Sequence, residues 1–201
     1  MSPEVQKRVL EVIPEEGKPI VIFLMLTGCR PGEARALKCK DVDLEKRIIK
    51  ISATFSGGIY REKRKGKKAK NAIIPIHQEL YPYIKDRVEE NLPDAYVFTN
   101  PKTSKYFSKS KLEKLWASIR EKVGLTKDVR LYDATRHSFA SQLVNKGVSL
   151  LSVSRLLGHS SVKMTERYAH SDIEKLRVDV NSLSLSDDKI YDINVTNVSL
   201  K

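Results

Sequence analysis

Cysteine is scarce in this chain. Cys29 and Cys39 are the only two in 201 residues, and their spacing fits neither a zinc nor a redox motif. They read as two small buried thiols of a reducing compartment. Long apolar runs are missing as well. The longest, Ile20 to Leu26 (IVIFLML), is far too short to span a bilayer and reads as a buried helix. Met1 is followed by SPEVQKR, not by an apolar stretch, so no secretory signal is visible and a cytoplasmic protein without membrane contacts is expected. No internal repeat is present, and no cluster of Asp, Glu and His stands at metal-ligand spacing. Acidic residues are also short: 25 against 37 Lys and Arg, a formal net charge of +12. That balance favours a polyanionic partner, of which DNA is the commonest. Charge alone does not separate this from a merely basic soluble protein. The length permits one large domain or two small ones, and 40% hydrophobic residues can bury a real core.

Helical signals dominate what is there. Ser2 can cap a first helix with Pro3 at its first position. Val5, Val9, Leu10 and Ile13 follow at helical spacing, and Pro14 stops it. The apolar run forms a second helix ending at Gly28. PGEARALK opens with Pro31 as a short third helix, which sets Arg30 at the corner between two helices. Residues 48 to 54 and 72 to 76 are β-branched and read as strands. Between them lies a long basic hairpin, GGIYREKRKGKKAKN. Residues 77 to 91 form another helix, and 96 to 98 (YVF) suggest a third strand. Leu112, Leu115, Trp116, Ile119 and Val123 mark the apolar stripe of the next helix. Three further helices cover roughly 133 to 168, and the sequence after about 180 has no clear helical face.

Three segments carry chemistry: LMLTGCRPGEARAL with Arg30, ATRHSFASQLV with Arg136, and LLGHSSVKMTERYAH with His159 and Tyr168. Arginine forks match phosphate oxygens in charge and shape, and a tyrosine can form a covalent intermediate. Together these groups supply what is needed to attack a phosphodiester with a phenol and no metal. Each alone is weak evidence. An arginine near a turn is usually a surface residue, and a lone histidine is usually satisfied locally. Register lifts them: His159 falls 23 positions after Arg136, and Tyr168 nine after His159.

With that spacing the segments resemble the catalytic domain of the tyrosine recombinases, of phage-integrase and Xer type, over about residues 2 to 175. The resemblance implies an α+β fold, mainly helical, with a small antiparallel sheet of about three strands. It implies a catalytic domain over 1–175 and a C-terminal tail over 176–201, flexible or docked on a partner. Arg30 and Arg136 would clamp the scissile phosphate, His159 would hydrogen-bond it, and Tyr168 would be the nucleophile. Glu33 matches an acidic residue that orients catalytic groups. The general acid is expected in the hairpin. Counting back from Pro75 gives Lys67, although Ala69 and Ala72 stand where glycine and arginine are common, and Lys65, Lys68 and Lys70 are close rivals. Arg61, Lys63, Arg64, Lys65, Lys68 and Lys70 are expected mostly to contact backbone phosphates.

One position departs from the family pattern. Three residues before the second arginine, where a histidine or lysine is usual, stands Asp133, or Tyr132 if one residue is inserted. Asp133 either accepts a proton from Tyr168 or caps its helix, the commoner job, which leaves the general base open. His137 and His170 read as structural or orienting. The resemblance further implies double-stranded DNA as partner, self-association as a tetramer on DNA, and no cofactor or metal. The chain starts almost at the catalytic domain, so the family's N-terminal core-binding domain is expected elsewhere: the chain is a fragment, or a partner supplies the other half of the clamp. The implied activity is site-specific recombination through a 3′-phosphotyrosyl intermediate, for integration or excision of a mobile element. A type IB topoisomerase or telomere resolvase, or a DNA-binding relic without activity, are the alternatives.

Overall fold

A computed structural model describes residues 1–62, 72–101, 103–159 and 161–168. Helix α1 (Pro3–Val12) starts where Ser2 Oγ accepts the Val5 N–H and ends at Ile13, since the residue before Pro14 is driven out of the helical region. Helix α2 (Lys18–Thr27) buries Ile20, Val21, Ile22, Phe23 and Leu24, so it is apolar all round and runs through the core. Gly28 closes it at φ 62°. A side chain there would strike Phe139 and Leu157, so both conformation and space demand glycine. Helix α3 (Pro31–Ala36) follows at once.

Two small antiparallel sheets come next. Strands β1 (Val42–Asp43), β2 (Ile48–Ile51) and β5 (Ala72–Pro75) form one in the order β1-β2-β5, with Ile49 opposite Ile74. Strands β3 (Ala53–Ser56) and β4 (Ile59–Glu62) form the other. Gly57 and Gly58 join β3 to β4 with φ of 58° and 80°, the two positive values that a two-residue hairpin turn needs.

The expected fold class stands, with three local corrections. The single strand over 48–54 is broken at Ser52, whose hydroxyl donates to Asp41 Oδ1 at 2.6 Å; the chain then leaves the first sheet for the second. The basic hairpin opens as strand β4. The stretch 96–98 is no strand. Val97 and Phe98 are buried, which is why they look like one, but pairing is limited to an isolated bridge of Tyr96 with Lys38 and another of Thr99 with Tyr106. Among the described residues, the sheet of about three strands is therefore five short strands in two sheets.

Helices α4 (Tyr81–Glu89) and α5 (Lys109–Lys122) complete the main core. Phe23 packs on Phe98 with ring centroids 5.0 Å apart, and Trp116 Nε1 donates to the Val129 carbonyl at 2.8 Å. Each such fully buried large side chain stabilises the fold by about 1.5–3 kcal/mol. The chain then winds as a π-helix over Asp133–His137 and runs straight into α6 (Ser138–Asn145). Helices α7 (Leu150–Leu156) and α8 (Lys163–Glu166) follow. A second, smaller core holds Ala140, Val153, Leu157 and Tyr168. No described helix is long and apolar enough to cross a membrane.

Candidate active site

The site is assembled where helices end. Gly28 turns the chain at the close of α2. Arg30 then stands at the N-cap of α3 in extended conformation, its side chain about 40% exposed. Glu33, nearly fully buried, accepts the Arg30 backbone N–H at 3.0 Å with one oxygen and the Arg30 guanidinium at 3.3 Å with the other. One carboxylate thus fixes both the helix start and the cation on it.

Arg136 is the most unusual group in the molecule: a guanidinium with 0% exposure. The π-helical turn carries it inward, a feature frequent at functional sites. Its Nη1 donates to the Gly28 carbonyl at 2.8 Å and its Nη2 to the Leu157 carbonyl at 2.7 Å. These carbonyls lie at the C-termini of α2 and α7, the negative ends of two helix dipoles. They offset part of the several kcal/mol that burying a cation costs. Burial, and then Arg30 close by, push the Arg136 pKa below its ordinary value, yet an arginine stays charged. Its Nε is buried with no partner among the described residues. Two neighbouring guanidiniums with one buried carboxylate and an unspent donor form a site that favours an anion.

His159 follows from how α7 ends. Gly158 takes φ 61°, its N–H bonds the Arg155 carbonyl, and the His159 N–H bonds the Ser154 carbonyl, each at 3.0 Å. This is the six-residue loop that closes a helix around a left-handed glycine, and it turns His159 back toward the arginines. The His159 Nδ1 shares a 2.8 Å hydrogen bond with the fully buried Thr165 hydroxyl. Burial, then Arg136, Arg30 and Arg167, push its pKa down to about 4, so the ring is neutral at neutral pH. A neutral ring with Nδ1 accepting from Thr165 offers Nε2–H as a donor.

Tyr168 lies two residues past α8, its side chain 5% exposed. Its hydroxyl is 2.7 Å from His137 Nδ1 and accepts from Arg167 Nη2 at 3.2 Å. The other His137 nitrogen, Nε2, is 3.2 Å from Asp133 Oδ1. Asp133 also pairs with Arg130 through two hydrogen bonds, at 2.6 and 3.2 Å. The expectation that Asp133 caps its helix is corrected here. Helical structure begins two residues earlier, at Leu131, which puts Asp133 inside the first turn with its carboxylate on the Arg130 and His137 side chains. Tyr132, the other residue considered for that slot, packs edge-on to the His137 ring.

Residues Arg30, Glu33, Arg136 and His159 are brought together, and Tyr168 is tied to the same helix as Arg136 through His137. Sequence reasoning passed over Arg167 and Thr165, and gave His137 no partner. The only available signal was their position within the His159–Tyr168 segment. Arg61 is described and exposed on β4. Lys63, Arg64, Lys65, Lys67, Lys68 and Lys70 lie outside the described residues, as do His170 and the tail. Among the described residues no group of three or more His, Cys, Asp or Glu could hold a metal ion.

The chain that carries this arrangement, an arginine pair with a histidine and a histidine-bound tyrosine on a mixed helical fold, is similar to known proteins. The model of the phage integrase family matches residues 3–175, and the chain belongs to that family. It is 29% identical to tyrosine recombinase XerA of Pyrococcus furiosus, over 94% of this chain and 63% of that protein. It is 30% identical to XerA of Thermococcus kodakarensis, over 88% of this chain and 60% of that one. The chain spans less than two thirds of the length of these relatives. A solved structure of XerA recombinase superposes with a TM-score of 0.64 at 28% identity, over 90% of this chain and 63% of that one. The Tn1549 transposon integrase, solved with a circular intermediate DNA, shares the fold with a TM-score of 0.77 at 21% identity, over 92% of this chain and 65% of that one.

Proposed function

We propose that residues 1–175 are the catalytic domain of a site-specific DNA recombinase that cleaves and rejoins double-stranded DNA through a 3′-phosphotyrosyl intermediate. The observation that carries this reading is the buried Arg136 guanidinium, held by two helix C-termini with its Nε unspent, beside Arg30 and a neutral His159. Arg30 and Arg136 clamp the non-bridging oxygens as charge builds on them. His159 donates to the same phosphate. Tyr168 attacks, and the 5′-oxygen leaves with a proton from a hairpin lysine, Lys67 in the register counted from Pro75. Packing supports a lysine there. A methyl group added to Gly158 would sit 3.2 Å from Ala72 Cβ, so the first residue of β5 lies beside the turn that carries His159. Five residues of chain reach at most about 17 Å, enough to bring Lys67 to the phosphate.

The whole enzyme would assemble as a tetramer on DNA in the cytoplasm, with a core-binding domain completing the clamp. Its biological work would be integration or excision of a mobile element. The test is a nicked suicide duplex, randomised across the cleavage region because the target sequence is unknown. Wild type should accumulate a covalent adduct that survives denaturation. If the wild-type chain binds the duplex and no adduct forms, the proposal fails in favour of a DNA-binding relic. An adduct through a 5′-phosphate would overturn the stated polarity.

A further inference from the structure

The hydrogen bonds around Tyr168 have a direction. The Asp133 carboxylate accepts and cannot donate, so the nitrogen facing it, His137 Nε2, carries the ring proton. In a neutral imidazole this leaves Nδ1 as a lone pair. The Tyr168 hydroxyl, 2.7 Å from Nδ1, must then be the donor. Arg167 Nη2 donates to the same oxygen at 3.2 Å, which leaves that oxygen's own proton for His137. We propose that His137 is the general base that takes the proton of Tyr168, with Asp133 as the positioning residue that sets its tautomer. This rests on the recombinase reading above.

The chain thereby moves the basic group by one helical turn. A carboxylate occupies the slot three residues before Arg136, and the histidine four residues on does the accepting. The logic is that of any nucleophile whose base is oriented by an acid hydrogen-bonded to its far nitrogen. In the step, the Tyr168 oxygen bonds phosphorus, the bond from phosphorus to the 5′-oxygen breaks, and the phenolic proton passes to His137 Nδ1. The imidazolium is balanced by Asp133 through Nε2–H. The 5′-oxygen takes its proton from the hairpin lysine. On religation the 5′-hydroxyl returns its proton to that amine, and the departing phenolate recovers its own from His137.

The groups facing the ring are consistent with a neutral acceptor. Burial lowers the His137 pKa, Arg167 and Arg136 lower it further, and Asp133 opposes them. Tyr132 packs on the ring edge.

Two measurements test the assignment. Nitrogen-15 shifts of the His137 ring in the full chain should report Nε2 protonated and Nδ1 bare at neutral pH; a protonated Nδ1 would overturn it. Single-turnover cleavage of the randomised suicide duplex should fall about 10²–10⁴-fold in His137→Gln, and at least about tenfold in the isosteric Asp133→Asn. Trifluorotyrosine at position 168, a phenol ionised near neutral pH without help, should restore most of the His137→Gln rate. In an otherwise wild-type chain it should flatten the acid limb of the pH profile. A loss that trifluorotyrosine does not restore, or His137→Gln cleaving at the wild-type rate, would overturn the base while leaving the recombinase reading intact. A wild-type chain that forms no adduct would remove both, whereas an adduct that persists in Tyr168→Phe would remove the base and move the attack to another tyrosine.

Discussion

Arg136 and Tyr168 are held in opposite ways. Arg136 is fixed by backbone: its two guanidinium partners are the carbonyls that close α2 and α7, and it sits on a helix continuous with α6. Tyr168 is fixed by side chains alone at its reacting end, those of His137 and Arg167, and it follows a helix of four residues. In the proposed mechanism the charge-binding half of the site is thus part of the framework and costs no reorganisation when charge develops. The proposed nucleophile packs its ring in the small core with Ala140, Val153 and Leu157, and its hydroxyl is held by two hydrogen bonds, each worth about 0.5–1.5 kcal/mol net.

The most drastic way to break this comparison is at the nucleophile. Tyr168→Phe should abolish the covalent adduct, with DNA binding nearly unchanged. Stability should drop by only about 1 kcal/mol, for the hydrogen bonds of the missing hydroxyl. Thermal unfolding and adduct trapping on the same sample check both halves. An adduct in the phenylalanine variant would move the attack to another tyrosine.

Next come the arginines, which should separate chemistry from folding. Arg30→Ala and Arg136→Ala should each slow cleavage by about 10²–10³-fold, the scale for removal of a transition-state donor. Only Arg136→Ala should also destabilise strongly, by about 3–5 kcal/mol if it breaks like a buried charged pair, since Arg30 is partly exposed. Lysine should rescue poorly at either position, because it lacks the fork. Equal stability losses in the two variants would erase the distinction between a structural and an applied cation. Cleavage by the wild type should persist in excess chelator, since the arginines supply the charge a metal would bring.

His159 sharpens the comparison through pH. Its pKa is about 4 in the folded chain against about 6.5 for a free histidine, so between those values the unfolded state binds more protons. Its contribution to stability is therefore complete above about pH 6.5 and is lost as pH falls toward 4. His137, also lowered, acts in the same direction. The melting temperature of wild type should fall across this window more steeply than that of His159→Gln. Parallel curves would mean that neither burial nor the arginines hold the ring's pKa down.

Much of this was legible in the sequence, for reasons that can be named. Ser2, Pro14, Gly28 and Gly158 act through local backbone geometry, so their helix ends could be read from residue type. Arg30, Arg136, His159 and Tyr168 stood out by spacing. What escaped depends on groups distant in sequence. The strand over 48–54 splits because Ser52 meets Asp41. Val97 and Phe98 are apolar for the core and not for a sheet. Asp133 looked like a cap because the π-helix leaves no sequence mark, and the helix starts earlier than its polar residue suggests. The hydrogen bond of His137 with Tyr168 joins positions 31 apart, and no local pattern announces it.

The smallest expected effect lies outside both anchorages, in the basic hairpin. Lys63, Arg64 and Lys65 follow directly on exposed β4, which ends in Arg61 and Glu62. If these cations meet backbone phosphates, each releases a counterion, and each cation neutralised should reduce the slope of log affinity against log salt by about 0.9. Neutralising the three together should flatten the slope and weaken binding without altering the cleavage rate of complexes already formed, because the described hydrogen bonds of Arg136 and Tyr168 go to Gly28, Leu157, His137 and Arg167. Titration at several salt concentrations, paired with single-turnover cleavage at saturating protein, separates the two effects. An unchanged slope would remove the hairpin from the phosphate backbone. A slope that flattens together with a collapse in the bound-state rate would place one of these three residues, and not Lys67, at the leaving 5′-oxygen.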